Sequence, residues 1–134
     1  MADLLIVDDD LDSAEALADI LRVEGHEVRV GYDGREGLRL ARERYPALAL
    51  LDVEMPHLDG PGMAFHMFVH DMGLENVPVI LLSGVANLAD VAMTVGTPYF
   101  LSKPYRYERL MTLVDRALSE GVAPTPVRTE GALE

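Results

Sequence analysis

The sequence predicts an α/β domain built on a parallel β-sheet with helices on both faces. Short apolar runs alternate with helical segments five times along the chain. The runs Leu4–Val7, Leu48–Leu51 and Val77–Leu82 are continuously apolar, as strands buried on both faces require. Length agrees with this, because 134 residues, 49% hydrophobic and 25% charged, suit one domain with one core.

The first run, Leu4–Val7, ends in Asp8, Asp9 and Asp10. Asp12 then opens a helix, with Glu15 in capping-box spacing; Ala14, Leu17, Ala18 and Leu21 form its buried stripe and Gly25 stops it. Val28–Val30 is a weak second strand. Asp33 and Glu36 mark the next helix start, Leu38 and Ala41 lie on its buried side, and Pro46 ends it. The third strand, Leu48–Leu51, runs into Asp52 and a loop over Val53–Gly60, after which Pro61 takes the first helical position of a segment reaching about Gly73. Met63, Phe65, Met67 and Phe68 make this helix apolar on several sides, which reads as core.

Val77–Leu82 ends at Ser83 and Gly84. Leu88, Val91, Ala92 and Val95 give a short fourth helix closed by Gly96, and Tyr99–Leu101 is the fifth strand, followed by Lys103 and Pro104. Leu110, Leu113, Val114, Ala117 and Leu118 are the stripe of the last helix. The domain is expected over 1–120, and 121–134, with little to bury, reads as a C-terminal tail or the start of a linker.

In a parallel sheet of this kind, ligands bind outside the carboxyl ends of the strands. The residues directly after strands one, three, four and five are Asp8 with Asp9, Asp52, Ser83 and Lys103. The topology thus gathers three carboxylates, a hydroxyl and an ammonium at one edge. Three adjacent acids repel by ~3 kcal/mol per pair at ~5 Å with an effective dielectric of about 20, so they call for a cation. With no cysteine and no convergent histidine, hard oxygen ligands select Mg²⁺ or Mn²⁺. A phosphoryl group beside such a metal is neutralised further by Lys103 and receives a hydrogen bond from Ser83. Asp52, alone at its strand end, suits a nucleophile that would form an acyl phosphate.

Composition narrows the partners. A formal charge of −12 opposes binding to nucleic acid and to anionic lipid, so direct nucleic-acid or membrane binding is not expected. No run approaches the roughly 18 apolar residues of a membrane span, and Met1–Asp10 is too acidic for a secretory signal. A cytoplasmic location is therefore expected, in keeping with the lack of cysteine.

The segments LLIVDDD, ALALLDVEMPHLDG, VPVILLSG and PYFLSKPY resemble, in order, the four signature stretches of bacterial two-component response-regulator receiver domains of the chemotaxis-regulator kind, over residues 3 to about 120. The resemblance implies a flavodoxin-like, doubly wound, five-stranded parallel sheet in strand order 2-1-3-4-5. It implies that Asp52 is the phosphoacceptor and a Mg²⁺ ligand, Asp9 a direct ligand, and Asp8 one acting mainly through water. The main-chain carbonyl of Glu54 completes coordination, Ser83 binds a phosphoryl oxygen and Lys103 pairs with the phosphoryl group, pointing at Asp52. Phe100 matches the aromatic that, with Ser83, switches between two packings, and the Lys103–Pro104 peptide is implied to be cis. The phosphoryl group would come from a sensor histidine kinase or a histidine phosphotransfer protein. Output would pass to an effector protein or domain, with a homodimer left open. The domain is implied to be a phosphoacceptor switch, not an enzyme, that labels itself from small phosphodonors and loses the label over minutes or longer, since Glu54 and Val85 orient attacking water poorly.

Two other classes share parts of this pattern. A haloacid-dehalogenase-like phosphatase also uses a strand-end Asp and Mg²⁺, but has a second Asp where this chain has Glu54; a receiver-like module that is never phosphorylated would not need the complete acid, serine and lysine set. The Ser83 to Lys103 interval, 20 residues, is shorter than in many receivers, which trims the region between Gly84 and Gly96. Ala47 replaces an acid frequent at that position. His66 and His70, though at i, i+4, have no evident third ligand and read as structural, as do His57, Pro56 and Gly60 in the loop after Asp52.

Overall fold

The computed structural model describes residues 1–55, 58–70 and 73–125, with 68–70 as backbone only. Five parallel strands, β1 (Asp3–Val7), β2 (Glu27–Gly31), β3 (Leu48–Asp52), β4 (Val79–Ser83) and β5 (Tyr99–Ser102), form one sheet in the order β2-β1-β3-β4-β5. The helices are α1 (Leu11–Val23), α2 (Gly34–Glu43), α3 (Gly60–His70), α4 (Leu88–Val95) and α5 (Tyr107–Glu120), with a 3-10 turn at Leu74–Asn76. The strand order and the two helical layers are those expected.

The continuous apolar runs are explained by a core on each face. Leu5, Val7, Ala49, Leu51, Val79 and Leu81 pack with Leu38, Met63, Met67, Ala92 and Val95 of α2, α3 and α4. Their strand neighbours Leu4, Ile6, Leu48, Leu50, Ile80 and Leu82 point the other way, onto Leu17, Leu21, Leu110 and Val114 of α1 and α5. No helix of the described residues is long and apolar enough to cross a membrane.

Several boundaries differ from the sequence reading. Asp10, not Asp12, caps α1, its carboxylate accepting a hydrogen bond from the Ser13 N–H at 3.1 Å. Glu15 makes no capping box and instead accepts from the Tyr32 hydroxyl at 2.6 Å. Asp33 does cap α2, accepting from the Glu36 N–H at 2.8 Å, while the Glu36 carboxylate reaches back to the Tyr32 N–H at 2.8 Å. The carboxyl end of α2 is closed by Arg29 of β2, which donates to the carbonyls of Leu40 (2.6 Å) and Arg44 (2.7 Å) and pairs with Asp3. Strand β4 begins at Val79, not Val77, because the Val77 N–H is taken by Leu74 in the 3-10 turn and Pro78 has none to give. The side chains of Phe68 and His70, the loop residues Pro56 and His57, and the chain after Thr125 lie outside the described residues.

Between α4 and β5, Thr97 is buried, its hydroxyl donating to the Val79 carbonyl at 2.6 Å and accepting from the Tyr99 N–H at 3.2 Å. Thr97→Val keeps the shape and removes both bonds, so urea denaturation should show a loss of about 1–3 kcal/mol.

Candidate functional site

The four carboxyl-terminal strand ends supply the site as the topology requires. Asp8 and Asp9 follow β1, Asp52 is the last residue of β3, Ser83 the last of β4, and Lys103 follows β5. With Asp10, Ser13, Glu54, Gly84 and Val85 they line one open cleft. One carboxylate oxygen from each of Asp8, Asp9 and Asp52 lies within 4.8 Å of the others. Among the described residues this is the single cluster of metal-ligating side chains, and an all-oxygen set at that spacing fits a hard divalent cation. His66 is not part of it.

Burial grades the three acids: Asp8 is buried, Asp52 half-buried and Asp9 exposed. Asp8 is the most heavily partnered. Its Oδ1 accepts from the Asp10 N–H at 3.0 Å, and its Oδ2 accepts from Lys103 Nζ at 2.8 Å. The lysine was expected to point at Asp52, and this is corrected. The ammonium seeks the more deeply desolvated carboxylate, while Asp52 Oδ1 accepts from the Val53 N–H at 2.8 Å. Lys103 is steered by its backbone as well. Its N–H bonds the Ser83 carbonyl at 2.9 Å, and the peptide joining it to Pro104 is cis.

Burial pushes the Asp52 carboxyl up to about 6; the charges of Asp8 and Asp9 add to the rise, and Lys103 and the Val53 N–H oppose it. For Lys103, burial disfavours the ammonium, but the bond to Asp8 and the charges of Asp8 and Asp52 outweigh this and raise its pKa. Asp52 thus stands among like charges with one lysine shared between two acids. This balance favours a cation or a proton at the site.

Ser83 is buried, with its Oγ accepting from the Val85 N–H at 3.3 Å, which leaves the hydroxyl hydrogen available to the cleft. Phe100 does not line the cleft. It lies on the β5 edge, 39% exposed, beside Arg109 and Thr112 of α5. One residue of the site was not singled out by the sequence. Tyr105, partly buried, has its pKa raised by burial, with Lys103 lowering it and Asp8 raising it. Gly60 is more than loop geometry, since a Cβ there would stand 2.0 Å from the Asp52 carbonyl oxygen and its N–H bonds the Val53 carbonyl at 3.1 Å. That close return brings the start of α3 against the strand end bearing Asp52, a contact no single-residue signal reveals.

A doubly wound sheet with an acid trio, a serine and a lysine at its carboxyl edge defines a signalling domain of the receiver class. The profile of the response regulator receiver domain matches residues 4–115, and the chain belongs to that family. It is 34% identical over 137 aligned positions to the transcriptional regulatory protein PrrA of Mycobacterium tuberculosis, covering 98% of this chain and 58% of that protein. It is 33% identical to the DNA-binding response regulator MtrA of Mycolicibacterium paratuberculosis, covering 83% of this chain and 48% of that one. The chain therefore spans about half the length of these curated relatives. Among solved structures, the signal receiver domain of a histidine kinase from Syntrophus aciditrophicus superposes with a TM-score of 0.81 at 32% identity, over 96% of this chain and 98% of that one. The receiver domain of NtrX from Brucella abortus gives 0.77 at 31%, over 87% and 98%. This is a receiver domain of the two-component response regulators, a class that accepts a phosphoryl group on an aspartate and signals by a change of conformation.

Proposed function

We propose that Asp52 is the phosphoacceptor, that Asp8, Asp9, Asp52 and the Glu54 carbonyl hold Mg²⁺ (or Mn²⁺), and that Ser83 and Lys103 bind the phosphoryl oxygens. The observation that carries this reading is the meeting of the three carboxylates within 4.8 Å beside the Lys103 ammonium. An Asp52 carboxylate oxygen attacks phosphorus, and the bond to the donor's imidazole nitrogen or acyl oxygen breaks, leaving an aspartyl phosphate and the freed donor. When bound, the metal supplies positive charge for the phosphoryl oxygens. Ser83 donates its hydroxyl hydrogen to one of those oxygens. Lys103 already carries its proton and needs only to swing from Asp8 to contribute its charge.

The donor is a sensor histidine kinase or a histidine phosphotransfer protein, the compartment is the cytoplasm, and small donors such as acetyl phosphate also serve. Output runs through Ser83 and Phe100: movement of the Ser83 loop toward Asp52 leaves a space for the Phe100 ring, which is 39% exposed before the switch. Intact-mass measurement after acetyl phosphate with Mg²⁺ should show one added phosphoryl group on the wild type. Asp52→Asn, or EDTA, should reduce labelling at least about a hundredfold. Unchanged labelling of Asp52→Asn would assign the acceptor elsewhere. Loss of the label within seconds in the purified protein would contradict the slow self-dephosphorylation inferred from Glu54 and Val85.

A further inference from the structure

The chain after α5 does not leave the domain. Gly121, in the left-handed conformation at φ +65°, ends α5 and turns the backbone beneath the sheet, at the edge opposite Asp52. The Val122 N–H then donates to the Tyr99 hydroxyl at 3.4 Å, the same hydroxyl that donates to Glu120 at 2.9 Å. Two residues on, Pro124 is buried and shares the wall of a small, mostly apolar cavity with Ala64 and Met67 from α3, Leu74, Glu75 and Val77 from the 3-10 turn and its end, and Val79 from β4. Thr125 N–H donates to the Gly96 carbonyl at 3.1 Å. The approach is so close that a Cβ on Gly96 would stand 1.7 Å from the Thr125 carbonyl oxygen. The expectation that everything past 120 buries little is not met at Pro124.

These contacts cross from one face of the sheet to the other. Helix α5 lies over the core of Leu50, Ile80 and Tyr99, whereas the Pro124 cavity borders the core of Leu51, Val79 and Val95, and Gly96 directly follows Val95. We propose that Val122–Thr125 is an intramolecular latch that clips the chain across the amino-terminal edge of β4 and β5 and fixes the carboxyl end of α4. The segment that covers this edge is this chain's own. Gly96 is the cap of α4, its N–H and that of Thr97 both donating to the Ala92 carbonyl, so the latch holds the residue on which the helix closes. Helix α4 has eight residues, about 12 Å. Docking of the C-terminal chain and the position of α4 are therefore one equilibrium.

Residue-resolved hydrogen exchange on the full chain tests this, with Pro124→Asp as the strong variant and Pro124→Ala as the mild one. In the wild type, the Val122 and Thr125 amides should exchange at least about tenfold more slowly than in an unstructured peptide. Pro124→Asp should abolish that protection and speed exchange at Gly96 and Thr97 by about fivefold or more, leaving β1–β3 unchanged, with Pro124→Ala intermediate. Unprotected Val122 and Thr125 in the wild type would overturn the latch. Release of 122–125 with wild-type protection at Gly96 and Thr97 would overturn its hold on α4, and faster exchange spread over β1–β3 would make Pro124 an ordinary core residue.

Discussion

Removing the charge of Asp52 should make the metal-free fold more stable, not less. Asp52 titrates near 6 in the folded protein against 3.8 for an unburied carboxyl, chiefly because it is desolvated. Its protonated form is thus favoured by folding. The resulting stability is fully present below the unfolded value, fades as pH rises from 3.8 to about 6, and is gone above it. Asn carries no charge at any pH. Asp52→Asn should therefore match wild type at pH 4 and gain on it through this window. The full shift corresponds to ~3 kcal/mol, but the carboxylate is partly hydrated, so a gain on the order of 1–2 kcal/mol is expected at pH 8. Urea midpoints in EDTA at pH 4, 6 and 8 measure it. Added Mg²⁺ should then stabilise wild type more than Asp52→Asn, because the ligand that costs stability alone contributes it with a cation bound. Equal midpoints at pH 8 without metal would mean that the acid cluster is better solvated than its geometry implies.

The second large effect belongs to Lys103. Its ammonium, 2.8 Å from Asp8 Oδ2, is the partner of a carboxylate whose side chain is 8% exposed. Lys103→Met leaves that charge with only the Asp10 N–H. Breaking such a pair from one side costs about 3–5 kcal/mol when both groups are buried; Lys103 is itself 27% exposed, so about 2–3 kcal/mol is expected. Asp8→Asn in the Lys103→Met background should recover more than half of the loss, since the stranded charge is what costs stability. A Lys103→Met protein within about 0.5 kcal/mol of wild type, or no recovery in the double variant, would show that water already satisfies Asp8.

The site was legible in the sequence because the residues composing it stand where apolar runs stop. Asp52, Ser83 and Lys103 each end a run or follow it closely, and a parallel sheet leaves those ends no choice but to meet. What was not legible depends on competition in three dimensions. Asp10 and Asp12 are both good caps, and the stripe of Ala14, Leu17 and Leu21 is compatible with either; only the short loop after Val7 selects Asp10. Lys103 had two acids in reach, and the difference in burial between Asp8 and Asp52 is a property of the packed sheet. The segment Val122–Thr125 has a linker's composition, and its anchors at Ala64, Val79, Gly96 and Tyr99 lie far back along the chain. Composition describes a segment's own chemistry and is silent about a pocket waiting elsewhere.

The way the sheet ends bears on solubility. A sheet edge is a row of unpaired amides and carbonyls that another strand can join. On one side the edge is β2, which carries Glu27 and Arg29, and that arginine is drawn down onto Asp3 and the last carbonyls of α2. On the other it is β5, only four residues long, followed at once by Lys103 and by Pro104, which has no N–H to offer. An incoming strand would find a charged template at one border and a short, proline-stopped one at the other. The protein's most apolar strands, β1, β3 and β4, are all interior, so its strongest aggregation sequences are exposed only when the fold opens.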